Sequence, residues 1–121
     1  MKRLDIVYAT PEHVGQFFGN MCFQRLKGYA AILNGEVIGV AGIRYDGDSL
    51  ILFSDMKEPA RKYKKDIIRM IRLMDELLEN IKYPVLAIAN KTESLSEKIL
   101  IKLGFEYTGL NSPDGKVFRR A

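Results

Sequence analysis

Five cations crowd one short stretch of this chain: Lys57, Arg61, Lys62, Lys64 and Lys65, within residues 57–65, which read KEPARKYKK. Pro59, the helix formers after it and the apolar spacing that follows predict a helix from Pro59 to Ile81, so the cations gather over its first turns. Aligned peptide dipoles place roughly half a positive charge at a helix start, which favours anions and mildly disfavours cations. The cluster therefore has two readings. One is a cradle for the phosphates of a ligand, where backbone N–H groups and ammonium groups converge. The other is a solvated helix start whose charge keeps the chain soluble. Both stay open for Arg61 to Lys65. Arg69 and Arg72 fall opposite the apolar face of the helix, beyond the reach of an anion at its start.

Other residues able to do chemistry are few. Asp55, beside Ser54 at the end of a predicted strand, is the one candidate general base, and a turn carboxylate is its plainer account. Tyr107 is placed to donate a proton from a late strand, against the plainer account of a half-buried sheet tyrosine. His13 is the sole histidine and lacks the partners that a zinc site or a catalytic pair needs. Cys22, the sole cysteine, has no partner for an internal disulfide and nothing nearby in sequence to lower its pKa; it suits a reducing compartment.

The elements that must position these groups follow from period and punctuation. At 121 residues the chain is read as one domain, 1–121, able to bury roughly two thirds of its unfolded surface. No apolar run approaches the roughly 18 residues that a membrane helix needs, and the N-terminus has no signal-peptide core, so neither membrane nor export is expected. The net charge of +4 permits a polyanionic partner without requiring one. Along the long helix, Asp66, Asp75 and Glu76 dilute the stripe of Arg61, Lys65, Arg69 and Arg72. No aromatic platform accompanies it, so nucleic acid is not an expected partner.

Leu4 to Tyr8 reads as a first strand, and Thr10-Pro11 as the cap and first residue of a helix carrying Val14, Phe17, Phe18 and Met21 on one face. Tyr29 to Leu33 and Glu36 to Tyr45 are strands joined by Asn34-Gly35, a hairpin signal because both residues tolerate positive φ. Strict alternation along the second sends Ile38, Val40 and Gly42 to one face, with Val37 and Ile43 to the other. Leu50 to Phe53 is apolar on both faces, as a central strand is. The long helix packs Tyr63, Ile67, Met70, Met74, Leu77, Leu78 and Ile81 inward. Val85 to Ala89 is another strand. Ser94 to Leu103 is a helix with Leu95, Ile99 and Leu103 inward, ended by Gly104. Phe105 to Leu110 and Lys116 to Arg119 pair last. The order β-α-β-β-β-α-β-α-β-β gives an α+β class: a mixed, mostly antiparallel sheet flanked by helices.

This order resembles the GNAT superfamily of N-acetyltransferases over nearly the whole chain. Ser96 to Gly109, which contains Lys102-Leu103-Gly104-Phe105, is similar to the family's late helix and its K-L-G-F turn into a strand. Asn34 to Gly42 is similar to its hairpin of glycine-spaced apolar residues. The resemblance implies acyl transfer from an acyl-coenzyme A, acetyl-CoA in the usual case, to a small-molecule or protein amine. It implies cytoplasmic work. It places the cofactor along the end of the fourth strand, at Ser54 and Met56, and over the loop opening the long helix, at Arg61, Lys62, Tyr63, Lys64 and Lys65. Asn90 falls where an asparagine often meets the pantetheine arm, and Asp55 or water is the implied base.

Against the family's loop of the form Gln/Arg-x-x-Gly-x-Gly/Ala, Arg61 matches the first position. Lys64 and Asp66 stand where small residues belong, so their side chains are expected to crowd a pyrophosphate, and the Asp66 carboxylate to repel it. Leu100 stands where many members carry a proton-donating tyrosine. The second half is also similar to short GNAT-like proteins of tailed bacteriophages. That resemblance implies an alternative: a non-catalytic component of a virion, with phage structural proteins as partners and the virion or host cytoplasm as its place.

Overall fold

The computed structural model describes residues 4–19, 25–90 and 94–121. Cys22 and Met21 lie outside the described residues, as do the side chains of Arg61, Asn90 and Leu95.

Seven strands form one sheet: β1 (Asp5–Tyr8), β2 (Leu26–Leu33), β3 (Glu36–Asp46), β4 (Ser49–Met56), β5 (Val85–Asn90), β6 (Glu106–Ser112) and β7 (Gly115–Arg120). They lie in the order β1-β2-β3-β4-β5-β7-β6. Every neighbouring pair is antiparallel except β4 with β5. Three α-helices are present among the described residues: α1 (Pro11–Phe18), α2 (Lys64–Glu79) and α3 (Ser94–Lys102). The mixed, mostly antiparallel sheet flanked by helices is therefore the architecture that the element order predicts.

Local chemistry accounts for most of the turns. The Thr10 hydroxyl accepts from the His13 N–H at 3.2 Å, as expected of a cap. His13 does more than sit on the surface: its Nδ1 accepts from the Thr10 N–H at 3.1 Å, filling the role that Glu or Gln usually plays in a capping box. Asn34 and Gly35 take φ of 52° and 82°, the left-handed pair that a two-residue hairpin needs.

The long helix departs from expectation at its start. Glu58–Lys62 form a separate 3-10 turn, and Tyr63 breaks it with φ −102° and ψ 62° before α2 begins at Lys64. Burial explains the break: Ala60 and Tyr63 pack with Leu4, Ala31 and Ile38, which pulls the chain onto the sheet before the helix can run free. The alternation expected along β3 is also broken. Ala31 faces Gly39 while Ile32 faces Val37, so Ile38 is an extra residue in a bulge. Ile38 accordingly joins the Leu4 cluster on the α2 side, while Val37 and Val40 pack with Phe17 and Phe18 on the α1 side.

The largest core lies on the α2 side. Met74 and Leu78 of α2, with Leu100 and Leu103 at α3, cover Ile43, Val85, Ala87 and Phe118 of the sheet. Arg120 closes the far end of this layer. Its Nε donates to the Leu103 carbonyl and its Nη1 to the Leu78 carbonyl, both at 3.0 Å, so one guanidinium caps the final turns of two helices. Tyr29 lies under α2, with its ring stacked on Tyr8 at 5.5 Å. Burial, then the Tyr8 phenol and the Glu76 carboxylate, push the Tyr29 pKa up from 10.0.

Two outcomes follow from this packing. Arg120→Ala removes two charge-assisted hydrogen bonds and is expected to cost about 2–3 kcal/mol in urea unfolding, whereas Arg119→Ala, on an exposed neighbour, is expected to cost under about 0.5 kcal/mol. For Tyr29, the folded state favours the neutral phenol. Its contribution is full below 10.0 and declines as pH climbs through the raised folded value. The wild type should therefore lose more stability than Tyr29→Phe between about pH 9 and about pH 11.

Candidate active site where two parallel strands diverge

β4 and β5 pair over three residues only: Leu50 with Val85, Ile51 with Leu86 and Leu52 with Ala87. Past that point each strand keeps its outer neighbour. Phe53 to Met56 stay bonded to β3, and Ile88 to Asn90 stay bonded to β7. The sheet therefore opens between Phe53–Met56 and Ile88–Asn90. Two features hold the rims apart. The Ile38 bulge twists β3 beside Met56. On the other side Gly115, at φ 153°, lies so near the Ala89 carbonyl that a Cβ there would overlap it, which draws β5 toward β7.

Backbone polarity in the gap follows from the ladder. The Lys57 N–H donates to the Ile38 carbonyl at 2.8 Å, so Lys57, Asp55 and Phe53 turn their polar groups toward β3. Ser54 and Met56 then turn theirs toward the gap, where β5 is no longer in reach. The Asp55 carboxylate folds back to accept the Met56 N–H at 2.8 Å. That leaves the Ser54 N–H, and a strand N–H facing an opening can hold the carbonyl oxygen of a ligand and stabilise negative charge developing on it.

The start of α2 stands at the same end of the sheet, since its N-cap Tyr63 packs in one cluster with Met56. No side chain caps it, and its first ladder bond is from the Ile67 N–H to the Tyr63 carbonyl at 3.0 Å. The amides of Lys64, Lys65 and Asp66 thus have no acceptor within α2, as at any helix start, an arrangement that favours anions. Lys62, Lys64 and Lys65 are exposed and form no ion pair among the described residues.

Asp66 does not occupy this opening in the way the sequence suggests. Its side chain is buried, accepts the Leu4 N–H at 3.1 Å and lies 3.4 Å from Arg69, whose guanidinium donates to the Leu4 carbonyl at 3.1 Å. The carboxylate is committed to β1, and Arg69 is a tether for the same residue.

Lys57 also turns away from the cluster. Its ammonium pairs with Glu36 at 3.4 Å and lies 5.4 Å over the Phe17 ring. Tyr107 is not brought to the gap. It sits on β6, two strands beyond β5, where its hydroxyl donates to Asn111 at 3.0 Å and Lys116 covers its ring at 5.4 Å. Leu100 is buried in the main core. The amides of Ser54 and Met56 matter here for their direction, which only the interrupted β4–β5 ladder exposes; a run of apolar residues ending in Ser-Asp is the sole sequence signal.

A cavity of about 720 Å³ lies elsewhere, at the opposite end of the sheet, between Lys27, Tyr45, Leu50, Lys82 and Arg119. It adjoins the paired ends of β4 and β5, so it is not the opening described above. Among the described residues no group of acidic, histidine and cysteine side chains could hold a metal, and no helix is long and apolar enough to cross a membrane.

No protein-family model matches the sequence, and no curated protein matches it. Solved structures do share its fold. The ribosomal-protein-S18-alanine N-acetyltransferase of Escherichia coli superposes with a TM-score of 0.63 at 12% identity, over 97% of this chain and 92% of that one. The aminoglycoside acetyltransferase AAC(6')-Ib, in complex with coenzyme A and kanamycin, gives 0.60 at 17% identity, over 98% and 94%. A GnaT-family acetyltransferase of Bordetella pertussis gives 0.58 at 14% identity, over 79% of this chain and 65% of that one, so the chain spans just under two thirds of that protein's length. At these identities the likeness is one of fold, and the fold is that of GNAT acetyltransferases.

The hydrogen bond across the rim is open to direct measurement. In Asp55→Ala the Met56 amide should exchange with solvent about fivefold faster, the equivalent of about 1 kcal/mol, as followed by amide NMR. The Lys57 amide, bonded within the sheet, should keep its rate.

Proposed function

We propose that this chain is a GNAT-type N-acyltransferase that moves an acyl group, acetyl in the simplest case, from an acyl-coenzyme A to an amine. One observation carries the reading: two parallel strands part after three paired residues, and their open end lies beside a helix start with no side-chain cap and three lysines that form no ion pair among the described residues. Such a gap admits a slender chain edge-on, while the helix start receives its phosphates. The structural neighbour AAC(6')-Ib in complex with coenzyme A supports it.

In this reading Ser54 offers its backbone N–H to the acyl carbonyl oxygen, while the Met56 N–H stays with the Asp55 carboxylate and the rest of the Met56 backbone lines the path of the acyl arm. The amides of Lys64 to Asp66, with Lys62, Lys64 and Lys65, receive the pyrophosphate. Lysines do this as point charges and tolerate the loss of the glycines that other loops use. Arg61 and Asn90 contribute from the same loop and strand end, and Tyr63 fixes the entry to the helix. Asp55 stands on the rim with one oxygen spare and takes the proton released by the attacking amine, directly or through water. Tyr107 has no part in the step, so the departing thiolate takes its proton from solvent. Work in the cytoplasm, where acyl-coenzyme A is made and spent, suits the reading.

A second reading has support of its own: a GNAT fold without catalysis, serving as a component of a virion or other assembly. Leu100, buried where a proton donor is expected, favours it.

Calorimetry with acetyl-CoA separates the two. Submillimolar binding that weakens about tenfold in Lys64→Glu, about 1.4 kcal/mol, supports the enzyme. No heat at about millimolar ligand overturns it. Binding without thiol release in the presence of any amine favours the assembly component.

A further inference from the structure

The acceptor side of the gap has a chemistry of its own, and an inference from it rests on the acyl-transfer reading above. Strand alternation puts Phe53, Asp55 and Lys57 on one face of β4, the face that α1 covers, with Phe53 in the cluster of Phe17 and Phe18. Gly42, cross-strand from Phe53, has no side chain. A Cβ there would come within 3.1 Å of the tip of the Phe53 ring, so the ring reaches over the bare strand and gives this face an apolar surface. Across the gap, Ile88 is on the same face, since Val85 and Ala87 point to the α2 side, and it is 45% exposed.

Charge on this wall is sparse. The Lys57 ammonium is held by Glu36 and the Phe17 ring, which leaves that pair near neutral. Asp55 is then the one carboxylate on the gap-lining stretch of β4, and among the described residues its hydrogen-bond partner is a backbone N–H. A site with one carboxylate between apolar walls can replace the hydration of one ammonium, and leaves any second ammonium without a counter-charge.

We propose that the acceptor is a monoamine carried on an apolar or aryl body, with its ammonium on Asp55 and its body between Phe53 and Ile88. In the transfer the Asp55 carboxylate removes one proton from the ammonium. The amine nitrogen then bonds to the acyl carbon as the carbon–sulfur bond breaks, and the second nitrogen proton is lost to water as the thiolate gains one from it. A polyamine brings further charges that this wall, with the Lys57–Glu36 pair near neutral, does not meet.

The test uses phenethylamine and spermidine as acceptors with acetyl-CoA, following thiol release, together with amide NMR of the free protein titrated with each amine. The expected result is a kcat/KM at least tenfold higher for phenethylamine. Its titration should shift the amides of Phe53, Asp55 and Ile88, and spermidine should leave them in place. Ile88→Asp, at an exposed position that does not endanger folding, should narrow or reverse the preference by supplying a second carboxylate. Asp55→Asn should abolish the phenethylamine shifts. Equal or better use of spermidine by the wild type, or no amide shift with phenethylamine, overturns the proposal. Amide shifts with phenethylamine in a protein that gives no heat with acetyl-CoA uphold the amine site and sink the acyl-transfer reading instead.

Discussion

β4 cannot satisfy both its neighbours along its whole length. It bonds to β3 as far as Lys57 and to β5 only as far as Leu52. The backbone groups left over are polar and in part sheltered, so each needs water, a side chain or a ligand. The proposed contact to the acyl carbonyl follows from that unmet hydrogen bonding, and the proposed amine site lies along the same opening. The Asp55 carboxylate satisfies one donor, Met56, and in doing so is itself fixed at the rim. Had β4 and β5 zipped together to their ends, the same residues would make an ordinary sheet with no opening.

Keeping such a gap open requires that the surrounding elements stay put, and several charged side chains serve that end. Asp66 and Arg69 grip the two backbone groups of Leu4 and so tie β1 to the first turn of α2. The buried carboxylate is tolerated because it gains both an N–H and a guanidinium nearby. Arg120 ties the last turns of α2 and α3 to β7, and Lys116 reaches Glu97 of α3 at 3.4 Å. The chain's two basic clusters are therefore mixed populations. Lys57, Arg69, Lys116 and Arg120 serve structure, while Lys62, Lys64 and Lys65, around a helix start, form no ion pair among the described residues.

Much of the frame was legible. Asn34-Gly35 set the hairpin, Thr10-Pro11 set α1, and the doubly apolar run at 50–53 marked a central strand, because each rests on short-range sterics or on a period that burial enforces. The misreadings were long-range in cause. The start of α2 shifted from Pro59 to Lys64 because Ala60 and Tyr63 are drawn onto Leu4 and Ile38, residues more than twenty positions away. Ile38 changed face because a bulge depends on how β2 pairs with β3, which alternation in one strand does not record. Asp66 looked like an obstacle to phosphate until its partner, Leu4, was in view.

Sequence by itself determined the class of the fold, the order of its elements and where its cations gather, since periodicity, capping residues and local charge are properties of neighbours along the chain. Tertiary structure alone decided that β4 and β5 part after Leu52, that the Ser54 and Met56 amides face the opening, and that Asp55 rather than Tyr107 stands beside it. Those are facts of strand register and lateral order. Register is set by which distant residues are buried together, so it becomes visible only when the whole sheet is assembled.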